Sequence, residues 1–346
     1  MASNAPTPKI FHSRAPANLM LMGEHAVVHG HPALACALDQ WIQITWQPQP
    51  HSQTLSIHSE LANHSTHWQD WQTHPQLQFV QAALAPFRQT FQQRNLGLKL
   101  TIQSDFSATL GFGSSAAVLT ATLGGLHHLL NPHQPPHFNN QTKHHLFKTG
   151  LKIIHQIQKR GSGTDLAASL FGGLIHFKAN QITPLSLKQP LPLTLIYSGY
   201  KTPTSQVLQQ VAQQWQTEPK LLKALYQLMG DTTQAAYQAW QNQNLNRFYH
   251  LINSYQGLMD ALGVNDATLS QLIYQLREDL PASKISGSGL GDCVLGFGQL
   301  PPEKQKNYPK PLQYFSPQIA NQGLHLLLPS EPPHNNLKEQ SNEHKN

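Results

Sequence analysis

Charge is scarce in this sequence. Of its 346 residues only 12% are Asp, Glu, Lys or Arg, about half the usual share. A coiled coil and a charge-rich disordered chain are both excluded on that ground. Cysteine is nearly absent. Cys36 and Cys293 cannot build a disulfide framework, and each stands in an apolar stretch like a small buried residue, which fits a reducing compartment. No run of basic residues accompanies the net charge of +6; the densest cluster, Lys304, Lys306 and Lys310, lies among prolines. Nucleic acid is therefore not an expected partner. Apolar runs fall far short of the ~18 to 20 residues a membrane span needs, and no apolar segment precedes a cleavage site at the N-terminus. The expectation is a soluble, cytoplasmic protein with no membrane partner. Acid, finally, is missing from a whole region: Asp165 is the one acidic residue between Phe106 and Leu195.

Hydrophobic residues, at 39%, are enough for a sizeable core, and the length fits two domains at roughly 100 to 200 residues each. Gln, Asn, Ser, Thr and 21 His supply the polar surface, so mild acidification adds far more positive charge than +6 suggests. Period-two alternation predicts strands at Trp41 to Trp46, Thr54 to His58 and Leu96 to Ile102. Ala33 to Ala37 reads as a short helical or extended stretch. From Ser114 to Leu130 the spacing turns helical, with Val118, Leu119, Leu123 and Leu126 on one broad face, and it stops at Asn131-Pro132. A second helix fits Lys143 to Gln158. After a strand at Leu193 to Tyr197, residues 205 to 278 are nearly all helix-like, with an N-cap at Asn265-Asp266, and a strand follows at Cys293 to Phe297. The pattern is α+β. Its expected divisions are an N-terminal domain over 1–190, a C-terminal domain over 191–328 and a disordered polar tail over 329–346.

Three glycine loops carry the chemistry. Thr109-Leu110-Gly111-Phe112-Gly113-Ser114-Ser115-Ala116-Ala117 runs straight into a helix. Small residues let the backbone approach closely, and the free N–H groups of the first helical turn attract an anion, as a phosphate cradle does. A ligand-free Gly/Ser-rich helix start is the alternative. The string also fits the dinucleotide fingerprint, but no Asp or Glu follows at about 20 residues for a ribose, so a Rossmann reading fails. In the second loop Gly287, Gly289 and Gly291 crowd ahead of a strand, a spacing that suits a tight turn against a ligand and, almost equally, a plain structural turn. No G-x-x-x-x-G-K-[ST] string occurs, which excludes a P-loop NTPase. In the third, Gly161-Ser162-Gly163-Thr164-Asp165, one carboxylate sits between a Gly/Ser turn and a small-residue helix; a simple N-cap is its alternative. Near the N-terminus, Gly23-Glu24-His25-Ala26-Val27-Val28-His29-Gly30 spaces two histidines four apart, where they would meet on a helix face. Its glutamate precedes the first His, so the zincin H-E-x-x-H is absent. Other histidines, such as His127-His128 and His144-His145, read as surface or loop residues.

In this order and spacing the four motifs resemble those of the GHMP kinases, over most of residues 9 to 298. The resemblance implies a two-domain fold, with an N-terminal domain like the second domain of ribosomal protein S5 and a ferredoxin-like C-terminal domain. ATP would bind between them, and its γ-phosphoryl group would pass, with Mg²⁺, to a substrate hydroxyl. GEHAVVHG resembles the mevalonate kinase branch of isoprenoid synthesis, whereas Gln158 to Gly163 and Gly291-Asp292-Cys293 are more similar to phosphomevalonate kinases. A sugar or amino-alcohol kinase is a further alternative, and a His-rich metal- or nucleic-acid-binding protein without turnover is the reading from another class. By resemblance, Asp165 is the catalytic base or orienting carboxylate for the substrate hydroxyl, and Asn18 occupies the family's catalytic lysine position. Leu110, Gly111, Phe112, Gly113, Ser114, Ser115 and Ala116 hold ATP, with Ser115 as the Mg²⁺ ligand. Glu24, His25, Lys201 and Thr202 line the substrate side, and Gly287, Ser288 and Gly289 brace the phosphate loop or the substrate pocket. The implied partner is a small-molecule substrate; a homodimer is admitted.

Two positions depart from the family pattern. Asn18 stands where a Lys or Arg is usual, and Ile154 stands where mevalonate kinases carry a metal-binding Glu. Lys159, Arg160 and Lys201 are the candidates for the missing cation.

Overall fold

The computed structural model describes residues 9–107, 111–306, 308 and 312–328. Its first sheet is built from β1 (Phe11–Met22), β2 (Ala33–Pro50), β3 (Thr54–His58), β4 (Asn63–His67), β5 (Leu96–Ser104), β6 (Leu174–Lys178) and β7 (Gln181–Leu185). A second, antiparallel sheet, in the order β11-β8-β10-β9, contains β8 (Leu193–Lys201), β9 (Ala282–Ser286), β10 (Gly291–Phe297) and β11 (Gln313–Phe315). β12 (His325–Leu327) then returns to pair with β1, so the chain after Leu193 does not stay on its own sheet. The first sheet is accompanied by α1 (Gln78–Leu84), α2 (Arg88–Gln93), α3 (Ser114–Leu130), α4 (Asn140–Gln158) and α5 (Thr164–Phe171). The second is accompanied by α6 (Thr204–Gln214), α7 (Pro219–Gln241), α8 (Leu245–Leu262) and α9 (Ala267–Asp279), with the short α10 (Pro302–Gln305) near the end. One hydrophobic cluster runs through both, from Leu34 and Trp46 to Phe248 and Phe297, so the two sheets share a core.

Two strands shape the site. β2 serves three partners: its start, Ala33–Cys36, pairs with β6, Ile42–Pro50 pairs with β5, and β1 lies along its other edge. Ala33 to Ala37 are buried throughout, which removes the alternation by which a strand is recognised and settles this stretch as extended. β1 carries Pro16, which has no N–H for a ladder, and its register with β2 shifts between Pro16 and Ala17. That irregularity lies immediately before Asn18.

Several helix boundaries differ from the periodic pattern. α4 begins at Asn140, three residues early, because Asn139 caps it by accepting from the Thr142 N–H at 2.8 Å. His127 and His128 lie in the last turn of α3, and His144 and His145 lie on α4, so none is a loop residue. His128 is half-buried with its ring edge-on to Phe11. No helix among the described residues is long and apolar enough to cross a membrane. Leu110, Lys310 and the tail 329–346 lie outside the described residues.

Candidate active site

The GEH motif at the end of β1 is a joint between the two sheets. Lys284, on β9, is wholly buried, and its ammonium donates to Glu24 Oε1 and to the Ile285 carbonyl. Burial pushes the Glu24 carboxyl up and the Lys284 ammonium down in pKa, and their mutual attraction opposes both shifts. Tyr255 of α8 donates its hydroxyl to the Glu24 carbonyl at 2.8 Å. His25, at φ 61°, turns the chain so that its Nε2–H donates to the Ser288 carbonyl at 2.9 Å. Burial keeps this imidazole neutral by lowering its pKa. His29 points elsewhere and stacks on Tyr226, so the two histidines do not converge. Among the described residues no three His, Cys, Asp or Glu side chains group as metal ligands.

The phosphate-loop candidate is fastened by Asn18. Its backbone N–H donates to the Phe112 carbonyl (3.0 Å), and its Nδ2 donates to the Gly113 carbonyl (3.2 Å) and Ser169 Oγ (2.9 Å). Ser169, on α5, donates in turn to the Pro16 carbonyl at 2.8 Å. β1, the loop and α5 are thus tied through one buried amide. Gly113 has φ 68°, and a Cβ there would lie 2.1 Å from Asn18 Oδ1, so only glycine fits. The Phe112 side chain is spent on the core, against Phe106 and Phe315. Beyond Gly113 the N–H groups of Ser114, Ser115 and Ala116 precede the first intrahelical bond of α3, Ala117 N–H to Gly113 carbonyl. Ser115 is exposed on that turn, whereas Ala116 is buried.

Asp165 lies in the first turn of α5. The N-cap is Gly163, in the left-handed region, and no side chain caps the helix, so Asp165 is not an N-cap. Ser162 shapes the entry instead: its Oγ accepts from the Thr164 N–H at 3.2 Å. The Asp165 side chain opens to solvent, with many protein atoms around its carboxylate. Burial, and then the negative charge of Glu24, raise its carboxyl to about 6. It has no ion-pair partner among the described residues.

A helix-initiating glycine loop, an unpaired carboxylate on a neighbouring helix and a third glycine loop joined to the first motif now stand together. Residues 78–173 match the model for the GHMP kinase N-terminal domain. The mevalonate kinase of Pyrococcus furiosus is 28% identical over 309 residues, covering 84% of this chain and 89% of that protein. The mevalonate kinase of Thermococcus gammatolerans is 28% identical over 311 residues, with the same coverage. In fold, the crystal structure of the Methanococcus jannaschii mevalonate kinase matches 91% of this chain and 99% of that one, with a TM-score of 0.73 at 18% identity. Residues 78–173 are a GHMP kinase N-terminal domain, and over most of its length the chain is similar to mevalonate kinases.

For a GHMP kinase the expected residues distribute unevenly. Gly111, Gly113, Ser114, Ser115 and Asp165 lie in the two helix-initiating turns. Asn18 holds the phosphate loop in place and, being neutral, supplies no charge. Glu24 and His25 are committed to the joint. Thr202 donates its hydroxyl to the Leu290 carbonyl at 2.6 Å, so it secures the third loop and leaves no donor for a substrate. Gly287 and Ser288 lie at the joint, and Gly289 packs against the Val264 carbonyl. Asp292 lies against Gly111 of the phosphate loop. Ile154 is buried in the core beside Gly161, with no acid in its place. Lys284, Tyr255 and Asp292 escaped sequence reasoning. A lysine flanked by Ser283 and Ile285 just ahead of a glycine loop was the available signal for the first.

Proposed function

We propose that this protein transfers the γ-phosphoryl group of ATP to the hydroxyl of mevalonate. The observation that carries the reading is Asp165, an unpaired carboxylate that opens to solvent at a helix start and is tuned to about 6. Ionised at neutral pH and still basic, it suits removal of the proton from an attacking hydroxyl. The N–H groups at the start of α3 are oriented for phosphate oxygens without side-chain help. Since phosphoryl transfer depends chiefly on positioning and charge stabilisation, Asn18 acts here as a positioning residue. Similarity to mevalonate kinases over most of both lengths supports the substrate. His25 Nδ1 is a buried acceptor with no hydrogen-bond partner among the described residues, a polarity that suits a hydroxyl group of a small acid. In this reading residues 1–190 furnish the phosphate loop and Asp165, and residues 191–328 furnish the third loop.

Mg²⁺ fits as an ion carried in with the nucleotide, supplying charge neutralisation on the phosphates. Ser115 is the group that would hold it, with phosphate and water completing the shell as is usual for this ion. The test is ADP release from Mg²⁺-ATP offered with mevalonate, phosphomevalonate, galactose or homoserine, with ³¹P NMR of the product. Mevalonate is expected to give the highest kcat/KM. A higher value for another acceptor overturns the substrate, and absence of turnover with all four overturns the kinase reading.

A further inference from the structure

A triphosphate brings several negative charges to a loop whose own residues carry no cation, and Asn18 contributes none. Lys284 is wholly buried and engaged with Glu24. Lys159 and Arg160 are exposed at the C-terminal end of α4. Lys201 differs from all three. It ends β8, opposite Gly291 of β10, where the register of the two strands shifts between Gly291 and Cys293. Across that shift Asp292 alone stands against Ser198, Gly199 and Tyr200, so the extra residues are on β8 immediately before Lys201, and an irregularity of this kind re-aims a side chain; Asp292 itself has φ 68°. Its carboxylate meets Lys201 Nζ at 2.8 Å through Oδ2. Both carboxylate oxygens lie 2.7 Å from where a Cβ on Gly111 would be, directly against the phosphate loop. Thr202 fixes the same corner through the Leu290 carbonyl.

A lone carboxylate beside an anion cradle would repel the nucleotide. Paired with Lys201 it becomes an anchor instead. An ammonium has three N–H donors, of which one goes to Asp292, and the Lys201 side chain is 38% exposed while that of Asp292 is 15% exposed. We propose that Lys201, aimed by Asp292, binds the phosphate oxygens of the nucleotide and supplies the cation that the first motif lacks at Asn18. The inference rests on the kinase reading. Lys201 is the phosphate-binding residue and Asp292 its positioning residue.

Calorimetric titration of the full chain with Mg²⁺-AMP-PNP and with adenosine separates the outcomes. Lys201→Met is expected to weaken AMP-PNP by about tenfold or more, equivalent to 1.4 kcal/mol, while adenosine affinity stays unchanged; Lys201→Arg retains most of the affinity. Asp292→Asn makes the site more positive, so a purely electrostatic role predicts tighter AMP-PNP binding. Positioning predicts weaker binding, and tighter binding would overturn Asp292's role. Unchanged AMP-PNP affinity in Lys201→Met, with wild type binding normally, overturns this inference alone. A wild-type protein that binds no AMP-PNP overturns the kinase reading itself.

Discussion

Glu24 and Asp165 are close enough for the charge of one to raise the pKa of the other, yet their surroundings are opposite. Glu24 is enclosed, with a buried lysine on its carboxylate and a tyrosine hydroxyl on its carbonyl. Asp165 opens to solvent, pairs with no cation among the described residues and belongs to a helix that needs no cap from it. A buried pair is costly to form and more costly to break, because removing one member strands the other without solvent. Such a pair fixes geometry. An unpaired carboxylate held near the pH of its surroundings does the reverse, because it exchanges a proton easily. Of two acids in recognisable motifs, the paired one builds the joint between the sheets and the unpaired one is the proposed base.

The comparison predicts its sharpest effect at Asp165. Asp165→Asn should lower turnover by roughly 10² to 10⁴ while leaving AMP-PNP affinity in place and the protein folded. Activity within a few-fold of wild type would remove the distinction between the two acids. At the joint, Lys284→Met should lower stability by about 3–5 kcal/mol, read from urea unfolding, since Glu24 is left buried and unpaired. Adding Glu24→Gln to that variant should restore part of the loss, and a neutral Lys284→Met would show that the pair fixes nothing. Asn18→Ala removes both donors of the amide that ties β1, the phosphate loop and α5. It should cost about 1–3 kcal/mol and weaken AMP-PNP binding, with Asn18→Asp failing to rescue because a carboxylate cannot donate.

The smallest effect is a pH dependence with a definite sign. Because the Asp165 carboxyl is raised to about 6, the folded protein binds its proton more tightly than the unfolded chain does. The stability this provides is present below the ordinary carboxylate range and is lost as pH rises through about 6. The Tm difference between Asp165→Asn and wild type should therefore be near zero at pH 4 and favour the variant above pH 6. Turnover of the wild type should fall on the acid side of about 6, and a flat rate profile there would separate Asp165 from the proton transfer.

Legibility in the sequence followed the range of the physics involved. The bounds of α3, Ser114–Leu130, and of β3, Thr54–His58, coincide with their periodic patterns, and Asp266 caps α9 by accepting from the Leu269 N–H. β6 and β9 were not anticipated, because strands buried on both faces lose the alternation that marks them. Phe112 shows the same limit within a motif: the loop was recognisable, but its side chain turned out to belong to the core.

Composition and local pattern by themselves determined an α+β chain with three glycine loops, two free cysteines and one isolated aspartate behind a Gly/Ser turn, since periodicity, capping and backbone freedom act over a few residues. Tertiary structure alone decided which charges meet. Lys284 and Glu24 are joined only when β9 docks beside β1, and Lys201 meets Asp292, which lies against Gly111, only through the shifted register of β8 and β10. Pairing and desolvation depend on what folding places within a few ångströms, and those neighbours lie tens to hundreds of residues away along the chain.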